Sequence, residues 1–292
     1  MMHTKIKKWV LLFVLLVLPF MIYTVFFKSA TNDFVKLAFI GPKIHHDIAY
    51  DSIVDNKIFL PSTSNVSKDM FLNKEEKKVI INNIAENKYI ELSEEYLPLD
   101  QDTLQFLSHH KIPPFSFINQ SKDTITNSDY DGNIYVANFI FTTCPSICKR
   151  MTINMRIIQD KLSKYPNIKF LSHTVNPNYD TPEILKQYAT KMRIDESNYN
   201  FVTGYKEDIY KIAESYFVNA SEDELAPGGF LHSEYLVIVD KEGRVRSGID
   251  KNGNVLGVYD GTKDFVIKDL IKDVKVLLAE YHQDKKATKN VE

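Results

Sequence analysis

Two cysteines, Cys144 and Cys148, are the only thiols in the 292-residue chain, and they lie four positions apart in the run FTTCPSICKRM. An apolar, β-branched and aromatic stretch, residues 133–141 (NIYVANFIF), ends just before them, and a helical period through Ile147, Met151, Met155, Ile158 and Leu162 begins just after. The pair therefore falls where a buried strand gives way to a helix starting near Ser146. Unpaired N–H groups at such a helix start favour thiolate, the nucleophilic and metal-binding form. A four-residue spacing also sets two side chains on one helical face. Two thiolates so placed can chelate one metal ion or oxidise to each other. Met151 and Met155 continue the stripe with soft sulfur atoms, but at this period they read as core packing. Of the eight histidines, His232 follows the turn-rich run Ala226-Pro227-Gly228-Gly229-Phe230-Leu231 and precedes a strand starting at Tyr235. At that junction it can face the same sheet end as the cysteines, and position alone leaves its role as a ligand open. His173 lies inside a strand and reads as structural, while the doublets His45-His46 and His109-His110 read as loop histidines without a site. Two Cys and one His form a soft set that suits Cu(I), or Cu(II) with an added oxygen or solvent ligand. A structural zinc wants a fourth protein ligand, and none is evident.

The elements that position these residues follow a regular order from Pro113 onward. Strands are expected at 115–118, 133–141, 168–175, 200–203 and 235–240, and helices at 146–162, 181–192, 207–216 and 263–281, with turns at 241–243 and 251–254. Thr181 is the expected N-cap of its helix, with Pro182 in the first helical position. Alternating strands and helices with a hairpin indicate an α/β layered domain, whose ligands sit at the carboxyl ends of its strands. Between residues 28 and 112 the pattern is weaker. Residues 61–70 (PSTSNVSKDM) read as a loop, 73–87 (NKEEKKVIINNIAEN) as a short amphipathic helix capped by Asn73, and 100–109 as one or two helical turns. The chain divides on this reading into residues 1–28, 29–112, 113–283 and a polar tail at 284–292.

Charge and composition narrow the function. With 36 Lys+Arg against 38 Asp+Glu the net charge is −2, which argues against a nucleic-acid binder. Two cysteines exclude a disulfide-rich scaffold and a four-cysteine zinc site. Residues 9–27 (WVLLFVLLVLPFMIYTVFF) carry no charge and are long enough to cross a bilayer core as a helix, and Lys5, Lys7 and Lys8 ahead of them predict a cytoplasmic N-terminus. The residues after the span lack the small-residue pattern of a cleavage site, so an uncleaved anchor is expected, with the rest of the chain outside the cytoplasm. There the cysteines meet an oxidising environment and are either paired or kept reduced by a partner.

These segments together resemble the Sco/SenC family of membrane-anchored, thioredoxin-like copper chaperones. IPPFSFINQ is similar to the family's entry strand, NFIFTTCPSICKRM to its strand and CxxxC motif, HTVNPNYDTPEILKQYA to its next strand and helix, FVTG to a further strand, HSEYLVIVDKEGRVR to its histidine segment, and YDGTKDFVIKDLIKDVKVLL to its closing helix. The resemblance covers roughly residues 113–281 plus the anchor. It implies a thioredoxin-like fold, a central mixed sheet flanked by helices with an extra β-hairpin, following one transmembrane helix. It implies copper bound by Cys144, Cys148 and His232, and delivery to the dicopper CuA centre of cytochrome c oxidase subunit II, with a copper donor and a thiol reductant as further partners. The periplasmic side of a bacterial inner membrane is the location it favours. Rival readings are a thiol–disulfide oxidoreductase that reduces the acceptor's cysteines through Cys144 and Cys148, and a redox or copper sensor. Three departures stand out. Lys149 replaces a proline common after the second cysteine, and its cation would favour the thiolates. Asn176 stands where an aspartate is frequent, with Asp180 as the nearby acid. Residues 54–108 look like an insertion.

Overall fold

The computed structural model describes residues 35–49 and 103–289, apart from residues 224, 227 and 251, together with short strands between residues 52 and 91. The expected membrane span and the loop at 61–69 lie outside the described residues.

Strand β1 (Ala38–Phe39) opens the described chain. It is followed by an insert of eight short strands: β2 (Lys43–Ala49), β3 (Ser52–Val54), β4 (Lys57–Leu60), β5 (Phe71–Leu72), β6 (Lys77–Lys78), β7 (Ile81–Ile84), β8 (Asn87–Glu91) and β9 (Thr103–His109). The main domain then contributes β10 (Ser116–Asn119), β11 (Thr124–Thr126), β12 (Ile134–Ile140), α1 (Ile147–Leu162), β13 (Ile168–Thr174), α2 (Pro182–Met192), β14 (Tyr199–Thr203), α3 (Lys206–Ser215), β15 (Ala220–Glu222), β16 (Phe230–His232), β17 (Tyr235–Val239), β18 (Val245–Ser247), β19 (Tyr259–Asp260) and α4 (Asp264–Lys289). The main sheet runs β1-β18-β17-β12-β13-β14-β10-β11, with β19 also paired to β17. Strands β12, β13 and β14 are parallel, and the other pairings are antiparallel. This is the mixed α/β architecture expected from the alternation of elements.

All seven residues of β12 are buried, as an apolar run in the middle of a covered parallel sheet requires. Its one polar member, Asn138, accepts a hydrogen bond from Ser172 Oγ at 2.5 Å, so burial does not orphan its carbonyl. Met151, Met155, Ile158 and Leu162 of α1 are also fully buried. Each such side chain contributes about 1.5–3 kcal/mol of transfer free energy, and together they fix the rotation of α1 over the sheet. Thr181 caps α2, accepting from Ile184 N at 3.4 Å, with Pro182 in the first helical position. The closing helix continues to Lys289, so residues 284–289, expected in a polar tail, are helical.

The insert corrects two readings. The described residues within 73–87 are not helical: Lys77–Lys78 and Ile81–Ile84 are strands, and Ile81 pairs with Ile90. Residues 103–109 are not helical turns either, because Thr103–His109 pairs over its whole length with Lys43–Ala49. The partner strand lies some sixty residues away, beyond the reach of local periodicity, and a β-branched residue such as Ile81 suits a pleated ribbon better than a helix interior. The insert forms two four-stranded sheets, β2-β9-β5-β6 and β3-β4-β8-β7. Leu60, Met70 and Phe106 are buried within it.

Candidate metal centre

The cysteine motif sits at the carboxyl end of β12. Phe141 is 1% exposed and closes the strand, and Cys144 N bonds back to Phe141 O at 3.2 Å to form a turn. Helix α1 begins at Ile147, so Cys144 lies in the turn and Cys148 in the first helical turn. The two are brought together by this turn rather than by a shared helical face. Cys144 is partly buried, whereas Cys148 is 1% exposed. The helix start is expected to favour a thiolate at Cys144, and the surroundings of Cys148 act in the opposite direction. The hydrogen bond with Cys144, followed by burial, pushes its thiol far above the usual range, and the nearby charge of Asp180 adds to this. These causes disfavour the Cys148 thiolate, with its sulfur in contact with Cys144. Lys149 is exposed.

Three sets of contacts hold this turn. Asp180, fully buried, accepts hydrogen bonds from Thr142 N at 3.1 Å, from Thr142 Oγ1, and from Thr174 Oγ1 at 2.5 Å. It ties the cysteine turn to the end of β13, and burial outweighs those bonds in raising its pKa. Thr152 Oγ1 donates to the Cys148 carbonyl at 2.9 Å and lies 2.9 Å from Tyr188 Oη. A threonine hydroxyl has one proton to donate, so Tyr188 is the donor to Thr152. Burial raises the Tyr188 pKa, with the charges of Cys148, Cys144 and Asp180 as further causes. Finally, Gly228, at φ +85°, lies so close to the turn that a Cβ there would sit 2.8 Å from the Phe141 ring and 3.2 Å from Pro145 Cδ. The Phe230 ring stands 5.1 Å from that of Phe141.

The third contact brings in His232. It is the last residue of β16, opposite Ala220 of β15, in a two-stranded ribbon separate from the main sheet. The His232 side chain lies outside the described residues; its strand neighbour Phe230 packs on Phe141. The run from Ala226 to Leu231 was expected to be a loop, and its last two residues are strand instead. Among the described side chains no three His, Cys, Asp or Glu gather closely enough to hold a metal ion. The described thiols supply two soft donors.

The other candidates take structural places. Met151 and Met155 are core residues. His173 is fully buried against Phe139, ring centroids 4.7 Å apart, and burial depresses its pKa to about 3. His45 is exposed on β2, His46 Nε2 lies 2.9 Å from Ser108 Oγ, His109 stacks on Phe39, and His110 Nε2 lies 2.8 Å from Ser215 O. Thr142, Thr152, Tyr188 and Gly228 were not singled out from sequence. Only Gly228 carried a signal, as part of a Pro-Gly-Gly turn.

The SCO1/SenC family model matches residues 105–266, more than half of the chain. The chain belongs to the SCO1/SenC family. A SCO1 protein homolog of Bacillus subtilis is 28% identical over 169 residues, covering 57% of this chain and 82% of the relative. The crystal structure of a SCO1/SenC family lipoprotein from Bacillus anthracis shares 30% identity with a TM-score of 0.51, covering 57% of this chain and 95% of that one. Arabidopsis thaliana ScoI, solved with copper bound, is 22% identical with a TM-score of 0.44, covering 56% of this chain and 97% of that one. The insert from β2 to β8 lies outside the span matched by the family model.

Proposed function

We propose that this chain is a copper chaperone for respiratory oxidase assembly, carrying the metal on the thiolates of Cys144 and Cys148 and the imidazole of His232. The observation that carries the reading is the contact between the two thiols at a strand's carboxyl end, with the hairpin of His232 seated on the same turn through Gly228 and Phe230. Copper is the cargo, and a soft two-sulfur, one-nitrogen set suits it. Loading releases a proton from each thiol, which makes uptake pH-dependent. The raised pKa of Cys148 makes its proton hard to displace. Release proceeds by ligand exchange. An acceptor thiolate bonds to copper as one donor leaves, the departing sulfur is reprotonated, and the metal never goes free. His232, the harder donor, leaves first.

The acceptor in this reading is the CuA centre of cytochrome c oxidase subunit II, and residues 9–27 tether the domain outside the cytoplasm. Anaerobic copper titration of the full chain in detergent tests the site. One copper per chain, weakened in His232→Ala and abolished in either cysteine variant, is expected. Unchanged affinity in His232→Ala would sink the three-ligand site.

The thiol–thiol contact also favours a second reading, a dithiol that reduces the acceptor's cysteines. Cys144, the more exposed sulfur, attacks the acceptor disulfide, and Cys148 then displaces the reduced acceptor, leaving the Cys144–Cys148 disulfide. That reading expects full function in His232→Ala.

A further inference from the structure

Helix α3 ends in an unusual way. Phe217 N bonds to Glu214 O at 3.0 Å and Val218 N to Ala213 O at 3.1 Å, the paired bonds of a Schellman turn. The residue in the left-handed position of such a turn is usually glycine, because a Cβ is strained there. Here it is Phe217, at φ +59°. A phenylalanine kept at a strained position points to a use for its ring.

The ring meets the base of the insert. His110, which directly follows β9, has its ring centroid 5.0 Å from that of Phe217, and its Nε2 donates to the Ser215 carbonyl at 2.8 Å, satisfying a free carbonyl at the helix end. Gly41, two residues ahead of β2, completes the junction. At φ +105°, a Cβ there would lie 2.7 Å from both His110 Cβ and Phe217 Cζ. Both strands that leave the domain to form the insert thus close on one aromatic ring.

From Phe217 the chain runs straight into the hairpin of the proposed histidine ligand. Asn219 O accepts from Ser233 N at 3.3 Å, Ala220 pairs with His232, and Glu222 forms an ion pair with Lys206 at the other end of α3. We propose that His110 and Phe217 are positioning residues for copper retention. The base of the insert clamps the end of α3 and so sets the hairpin that presents His232 to the cysteine turn. This rests on His232 being a copper ligand, and it gives the insert, most of which lies outside the family match, a role in the metal site.

The test uses the full chain in detergent, loaded with copper, with the rate of metal loss followed against a chelator. Phe217→Gly removes the ring and relieves the strained backbone, so it is expected to fold. It should speed copper loss roughly two- to tenfold, the value of one aromatic contact. Phe217→Tyr, which keeps the ring, should restore the slow rate. His110→Ala removes the same contact from the other side and serves if Phe217→Gly misfolds. In a His232→Ala background the Phe217→Gly change should add nothing. If His232→Ala speeds loss while Phe217→Gly and His110→Ala leave it unchanged, the positioning role is overturned and the three-ligand site stands. An equal effect of Phe217→Gly with and without His232 also overturns it. If His232→Ala itself has no effect, the reading beneath it falls.

Discussion

The cysteine turn and the histidine hairpin are built to different standards. The turn grows out of β12, all of whose residues are buried, and is pinned by Asp180, Thr152 and the first turn of α1. The hairpin of β15 and β16 is a two-stranded ribbon outside the main sheet. It touches the turn through Gly228 and Phe230, and Leu225 at its tip is 95% exposed. Two-stranded ribbons are marginal on their own. On the proposed reading the contrast would divide the roles: two sulfurs held by the core would keep the metal, and a lightly held nitrogen would open to let it go. A site with three core-held ligands would bind tightly and release slowly.

The contrast can be sharpened or broken by substitution. The largest effect is expected at the latch itself. His232→Ala should weaken copper binding by about 1.4–2.7 kcal/mol, on the order of tenfold to a hundredfold, without changing the denaturation midpoint of the metal-free domain. A midpoint that falls together with affinity would show the hairpin to be part of the core. Next comes the rigid region, read through pH. His173 has a native pKa near 3 against an ordinary 6.5, so the unfolded chain binds its proton first as pH falls. Its contribution is complete above about pH 6.5 and is lost progressively down to about pH 3, amounting to about 2 kcal/mol at pH 5. His173→Phe should flatten the pH dependence of urea denaturation across that window, and an unaltered slope would contradict the burial argument. Gly228→Ala should be smaller. The added Cβ pushes the hairpin off Phe141 and Pro145, costing a few-fold, roughly 1 kcal/mol, in copper affinity, and a loss matching that of His232→Ala would mean that the hairpin has no other hold. Lys149→Ala should change copper affinity less than about twofold, since the side chain is exposed. A larger drop in titration would restore it to the site.

The rigid region was also the legible one. NIYVANFIF, the helical period after it and the Thr181-Pro182 cap are local signals, and each became the element it suggested, in order and within a residue or two. Cys144 and Cys148 were legible by type and spacing, but their environment was not. A helix start argued for thiolates, whereas at Cys148 the hydrogen bond with Cys144, followed by burial, pushes the thiol the other way. The less legible parts depend on partners distant in sequence. The pairing of Thr103–His109 with Lys43–Ala49 and of Ala220–Glu222 with Phe230–His232 leaves no local period. The fixing of the hairpin by Gly228 depends on a ring some ninety residues earlier.

The central claim is that Cys144, Cys148 and His232 bind one copper ion together. Absorption spectroscopy of the full chain in detergent during Cu(II) titration tests it most directly. The account predicts a thiolate-to-copper charge-transfer band that saturates at one equivalent, is lost in Cys144→Ala and in Cys148→Ala, and is shifted and weakened in His232→Ala. A band that survives unchanged in either cysteine variant would contradict it.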